Sequence, residues 1–215
     1  MPNFHLSEED LLDYATGRLA EPFAVLVASH LTLCRICRRA VAEFEALGGV
    51  VVETAPSVAL APGGLEALMS RLDEPDADGS RLATPPAVGA LRHMPAPLRA
   101  FVKSTPKWKT VMRGLDVAEI GDGRDGARAR LMRIAPGSAM PRHTHRGREM
   151  LLVLDGGYRD EIGLYDAGDV AVAGPQVVHR PVADAEEGCL CFTVTDAGLK
   201  LTGPIGRLLN LFIRY

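Results

Sequence analysis

The chain has 215 residues, of which 47% are hydrophobic and 24% charged. That is enough for one large domain or two small ones, and no run of about 18 uncharged apolar residues offers a membrane span. The net charge of −3 is unevenly spread: residues 1–80 hold 13 Asp and Glu against 5 Arg and no Lys, a balance of −8, and the rest of the chain carries +5.

The opening segment, MPNFHLSEEDLL, is polar and acidic and lacks the basic start and apolar stretch of a secretory signal. The expected location is therefore the cytoplasm, where thiols stay reduced. Ser7, with Asp10 three residues on, resembles a capping box for a first helix, and Gly17 suits its C-terminal cap. Pro22 is placed to open a second helix, which is expected to run through FAVLVASHLTLCRICRRAVAEFEAL to Gly48 and Gly49. A shorter helix is expected near LEALMSRL, residues 65–72. Residues 76–97 contain Pro85, Pro86, Pro95 and Pro97 and read as a linker. From about Ala100 the pattern changes to short apolar runs between glycine turns: KWKTVM, ARARLMRI, EMLLVLDG, DVAVAG and CLCFTVTD. Such spacing predicts an all-β barrel or sandwich. The apolar tail, PIGRLLNLFIRY, is expected to form a last helix or to pack on the barrel. The expected fold class is thus multidomain, α followed by all-β, with helices over 1–75, a linker over 76–97 and the β domain over 98–215.

The second predicted helix carries H-x3-C-x2-C. At about 100° per residue, His30, Cys34 and Cys37 fall within roughly a 60° arc of one helix face. Structural zinc takes four thiolate or imidazole ligands arranged tetrahedrally. His5, just ahead of the first helix, is the natural fourth, and it would pin the N-terminal segment to the second helix. The competing reading is that the cysteines simply pack in a core. A thioredoxin-like redox pair lacks the βαβ context it needs. With LSEEDLLDYATGRL before it, the H-x3-C-x2-C helix resembles the zinc-binding anti-sigma domain of bacterial regulators. That resemblance implies His5, His30, Cys34 and Cys37 as zinc ligands and a sigma factor as partner. The acidic balance of residues 1–80 agrees with a basic protein surface and speaks against direct nucleic-acid binding.

Residues 137–156 read GSAMPRHTHRGREMLLVLDG. His143 and His145 are two apart, so on a strand they face the same way. Glu149 can join that face from the next strand after a turn at Arg146 and Gly147. Imidazoles with a carboxylate suit a divalent transition metal, zinc first among them. The run matches the first motif of the cupin superfamily, G-x5-H-x-H-x3-E-x6-G, at every anchor. The second motif is partial. Gly168 and His179 stand at the right separation, which makes His179 the implied fourth ligand. Gly174, Gln176 and Ala183 replace the usual proline, glycine and asparagine. These departures touch turn residues and not ligands. The implied β domain is a cupin barrel, a double-stranded β-helix or jelly roll.

The order of the two modules resembles the ChrR anti-sigma factors, including ETAP at 53–56 and GCLC with TDA at 188–197. In that family the helical domain binds an extracytoplasmic-function sigma factor, and the cupin domain is needed to respond to singlet oxygen or related oxidants. The resemblance implies a transcriptional regulator and not an enzyme. The alternatives are a metal-dependent cupin enzyme of dioxygenase type with an accessory zinc module, and a zinc-containing DNA-binding module. Among other candidates, Cys189 and Cys191 share one side of a strand and read as core residues before redox sensors. Arg142, Arg146 and Arg148 read as a solvated strand edge, His93 as an exposed linker residue, and Met132, Met140 and Met150 as core.

Overall fold

A computed structural model describes residues 2–59, 61–72, 94–121 and 126–202. Helix α1 spans Glu8–Ala15, and the Ser7 hydroxyl accepts from the Asp10 backbone N–H at 3.2 Å, as the capping pattern predicts. Its first turn is acidic, which suits the positive end of the helix dipole. The chain leaves α1 through Gly17 in the left-handed region, at φ +69.

The expected second helix is two helices. α2 spans Glu21–Leu33, α3 spans Arg35–Thr54, and Cys34 between them is extended at φ −112 and ψ 106. Cys34 caps α3 with its own sulfur, which accepts from the Cys37 N–H at 3.5 Å. α3 then runs through Gly48 and Gly49 instead of ending there. Neither glycine has a positive φ or a close neighbour, so nothing forces a stop. α4, Gly64–Leu72, falls where the shorter helix was expected. A fifth helix, α5, Ala96–Phe101, was not expected. It spans the expected boundary between linker and β domain, and it packs on α2. Most of the linker, His93 and the tail beyond Thr202 lie outside the described residues.

Among the described residues ten strands follow: β1 Lys109–Met112, β2 Leu115–Glu119, β3 Arg128–Ile134, β4 His143–His145, β5 Glu149–Arg159, β6 Leu164–Asp166, β7 Val170–Ala173, β8 Val182–Ala183, β9 Cys189–Thr195 and β10 Leu199–Leu201. All pairings are antiparallel. The main sheet runs β1-β2-β3-β9-β5-β6, with β7 and β8 also on β5, and β4 pairs with β10. The five apolar runs read from the sequence became β1, β3, β5, β7 and β9. β4 was expected from the spacing of His143 and His145, while β2, β6, β8 and β10 were not read from the sequence.

The pleat gives β3, β9 and β5 two distinct faces. Ala129, Leu131, Phe192, Val194, Met150 and Leu152 point outward, into one core with Leu26 and Val27 of α2 and Leu98 of α5. The opposite face, with Met132, Cys191, Thr193 and Leu151, lines a cavity of about 570 Å³ inside the barrel. The helical module therefore lies directly on the outer face of the barrel sheet. α2 is buried on several sides because α1, α3, α5 and the sheet all press on it.

Candidate metal centres

The break at Cys34 changes how the first cluster is built. His30 comes from the last turn of α2, Cys34 from the junction, Cys37 from the first turn of α3, and His5 from the segment before α1. Their ligand atoms all lie within 4.8 Å of one another. His30 Nε2 is 3.2 Å from Cys37 Sγ, and His5 Nδ1 is 3.3 Å from Cys34 Sγ. His30, Cys34 and Cys37 are buried, and His5 closes the cluster from the exposed side. Burial pushes the Cys37 thiol up to about 11 and holds the His30 imidazole below its usual range. The site thus resists charge on its own, and thiolates here call for a cation. His30 Nδ1 donates to the Gly168 carbonyl at 2.9 Å. That bond leaves the Nε2 lone pair aimed at the cluster.

In the barrel, His143 and His145 sit on β4 with both side chains inward, and an antiparallel bridge joins His143 to His179. His143 Nε2 is 3.1 Å from His179 Nε2, and His145 Nε2 is 3.3 Å from it. Two tautomers follow from the outer partners. His143 Nδ1 donates to the Pro141 carbonyl at 2.7 Å, and His179 Nδ1 to Asp160 Oδ2 at 2.8 Å. Both then present bare Nε2 lone pairs to each other, a repulsive contact unless a cation lies between them. Tetrahedral zinc with Zn–N bonds near 2.0–2.1 Å puts its nitrogen ligands about 3.3 Å apart, so the spacing fits a metal centre. Burial, with repulsion from the neighbouring imidazoles behind it, keeps His143 and His145 neutral, lowered to about 4 and about 3. Glu149 stands one step out, its Oε1 3.7 Å from His145 Nε2. Burial raises its carboxyl to about 7. His143, His179 and Glu149 line the barrel cavity, together with side chains that are mostly apolar.

Seven of the eight residues expected as ligands lie in two clusters, one helical and one in the barrel, and Glu149 stands beside the second, outside its close grouping. Sequence reasoning missed their supports. Asp160 and Asp169 carried no spacing signal, and Gly168 stood out only as a motif glycine, not as the carbonyl that holds His30. Arg148 is no solvated edge. It pairs with Asp10 of α1 and lies over the Phe23 ring of α2 at 5.9 Å. Cys189 and Cys191 are both buried. The hydrogen bond with Cys189, followed by burial, holds the Cys191 thiol well above its usual range. This environment fits packing and disfavours a reactive thiolate. Met150 is core, and Met132 and Met140 line the cavity.

Comparison with known proteins agrees with both modules. Residues 100–198 match the family described as ChrR cupin-like domain. The anti-sigma-E factor ChrR of Cereibacter sphaeroides is 37% identical over 214 residues, covering 98% of this chain and 97% of that protein. A crystal structure of Rhodobacter sphaeroides SigE in complex with the anti-sigma ChrR matches with a TM-score of 0.78 at 37% identity, over 91% of this chain and all of the matched chain. Identity at this level, sustained from the helical cluster through the barrel, shows that the chain belongs to the ChrR anti-sigma factor family.

Proposed function

We propose that the chain is an anti-sigma factor, which sequesters an extracytoplasmic-function sigma factor through its helical module and releases it when the barrel senses an oxidant such as singlet oxygen. The observation that carries the first half is the full-length kinship with a protein known in complex with a sigma factor. The helical surface supports it. The stripe of α3 that buries Cys37 and Val41 continues through Phe44 to Leu47 and Val51, at spacings of three, four and seven. Leu47 and Val51 lie beyond the shared core and are 65% and 69% exposed. On α4, Leu65, Leu68, Met69 and Leu72 form a second exposed stripe at helical spacing. Apolar helix faces of this kind suit a partner. The acidic first turn of α1 and the −8 balance of residues 1–80 suit a basic one.

The helical cluster fits structural zinc, held by His5, His30, Cys34 and Cys37. Bound there, zinc supplies four bonds that tie three segments too short to make a large core. In the barrel, His143, His145 and His179, with Glu149, would hold a divalent transition metal, zinc first. The β4 strand and the Pro141 and Asp160 acceptors orient the imidazoles, while the apolar walls exclude water. Regulation then requires that the oxidised barrel favour the sigma-free arrangement, since a signal that acts equally on both states shifts nothing.

The direct test is co-expression of the full chain with each extracytoplasmic-function sigma factor of the same genome. Capture of one sigma factor, lost in His30→Ala, is the expected result. A folded, metal-loaded chain that captures none overturns the reading. Turnover of a small substrate in the 570 Å³ cavity would instead favour the dioxygenase alternative.

A further inference from the structure

The hairpin that joins β5 to β7 touches both metal centres. At its start, Asp160 takes the His179 Nδ1 proton at 2.8 Å. The same carboxylate, through Oδ1, accepts from the Ile162 and Gly163 N–H groups at 2.8 and 3.2 Å, which shapes the turn. Gly163 lies against the Phe4 ring so closely that an added Cβ would stand 2.5 Å from Phe4 Cζ. Phe4 packs on Tyr165 with ring centroids 4.2 Å apart, and Tyr165 stacks on Tyr158 at 4.6 Å. Tyr158 belongs to the cavity wall. Further along, the buried Asp169 accepts from the Asn3 and Phe4 N–H groups at 2.5 and 3.0 Å and from Asp166 N–H at 2.9 Å. The neighbouring Gly168 carbonyl takes the His30 Nδ1 proton. Two of the four helical ligands, His30 and His5, are thus placed by barrel groups. One is held directly, the other through the residue before it.

We infer that the barrel hairpin of residues 160–169 is the outer shell of the helical metal centre: Gly168 and Asp169 position His30 and the His5 segment, and Asp160 links that shell to the barrel histidines. Outer partners of this kind set ring orientation and metal affinity. A change of ligation at His179 would move Asp160, the turn at Gly163 and the Phe4 seat of the His5 segment. Such a linkage is reciprocal, so metal in the helical centre would also favour the native hairpin. Asp160, Asp169 and Phe4 are positioning residues on this view, and none of them binds metal.

The inference rests on both clusters holding metal, and cobalt(II) separates the two questions. A thiolate-to-cobalt charge-transfer band reports the helical cluster alone, because the barrel cluster contains no cysteine. The full chain is loaded with cobalt, and the affinity of the thiolate site is measured by competition with a chelator. Phe4→Ala and Asp169→Asn are expected to weaken it about tenfold or more, with Phe4→Leu recovering most of the loss. Asp160→Ala is expected to weaken it to an intermediate degree, although Asp160 touches no residue of the helical cluster. Phe4 is only half-buried and its replacement leaves the shared core intact, so Phe4→Ala tests the idea in a folded chain whatever Asp169→Asn does. Wild-type affinity in Phe4→Ala overturns the outer shell. Wild-type affinity in Asp160→Ala alone overturns the link to the barrel centre. No charge-transfer band in the wild-type chain overturns the metal reading beneath both.

Discussion

Leu47→Ala tests where the sigma factor docks. Leu47 lies on α3 past the point where the helix leaves its own core, and it is 65% exposed. Fully burying a leucine side chain contributes roughly 1.5–3 kcal/mol, so covering the exposed part of Leu47 contributes about 1–2 kcal/mol. At about 1.4 kcal/mol per factor of ten, truncation should weaken binding about 5- to 30-fold. The free chain should hardly notice, because surface substitutions that touch little change stability by within about 0.5 kcal/mol. Val51, one turn on, is 69% exposed and should behave alike, with non-additive effects in the double variant because the two are neighbours. Calorimetric titration of the captured sigma factor with wild-type and Leu47→Ala chains measures the difference, and thermal melts of the free chains provide the control. An affinity unchanged in the Leu47→Ala, Val51→Ala double variant would refute docking on α3.

Four more outcomes follow from the same geometry. His143→Ala should still capture the sigma factor but respond weakly to oxidant, as read by a sigma-dependent reporter; loss of capture would mean that the barrel metal also supports the docking surface. The purified chain should release two zinc equivalents to a chromogenic chelator and the His179→Ala variant one; a single equivalent in the wild-type chain would leave one cluster without its metal. Leu26→Ala, at a fully buried site between helices and sheet, should cost about 2–5 kcal/mol and lower one shared melting transition, whereas two separate transitions would mean that the modules fold independently. Burial raises Tyr165 to about 12 and lifts Tyr158 above the ordinary range. Between about pH 10 and 12 the folded chain keeps protons that the unfolded chain releases, so this stability is full below pH 10 and is lost as pH rises. Ultraviolet titration should therefore find two of the four tyrosines ionising late in the native state; all four titrating together near pH 10 would contradict the packing.

The candidate ligands were legible because ligation chemistry calls for fixed spacings, and these survived an error in the secondary structure. The sequence suggested one helix with His30, Cys34 and Cys37 on one face, but the chain breaks at Cys34. Periodicity could not reveal the break, since apolar residues continue on both sides of it and no proline or glycine marks it. The feature that marks it is Cys34 itself, a candidate ligand whose sulfur also caps the next helix. β4 and β5 were legible for a similar reason: His143, His145 and Glu149 need the alternation of strands to share a face. Asp160 and Asp169 were not legible, and Gly168 was legible as a motif glycine but not as a partner of His30. Asp169 and Gly168 act across more than a hundred residues, Gly168 through a carbonyl that has no side-chain identity to read, and Asp160 reaches His179 from a turn with no motif of its own.

The illegible residues bear on mechanism more than the legible ones. A sensor built as two beads on a linker would need its signal to cross a mobile connection. In this chain the outer face of β3, β9 and β5 shares a core with α2, and the hairpin after β5 grips the segment that carries His5. Arg148, beside Glu149, reaches Asp10 on α1 and covers Phe23 on α2. Any rearrangement of β4, β5 or the hairpin therefore acts on the ends of α1 and α2 without crossing the linker. The exposed stripe on α3 begins at the helix that Cys34 caps. The C-terminal part of α3, Gly48 to Val52, is rich in weak helix formers. A helix with weak formers toward its far end depends on how it is anchored at its start, where Cys34 caps it. On the proposed reading, the barrel can act on a bound sigma factor without touching it, through the supports of His5 and His30.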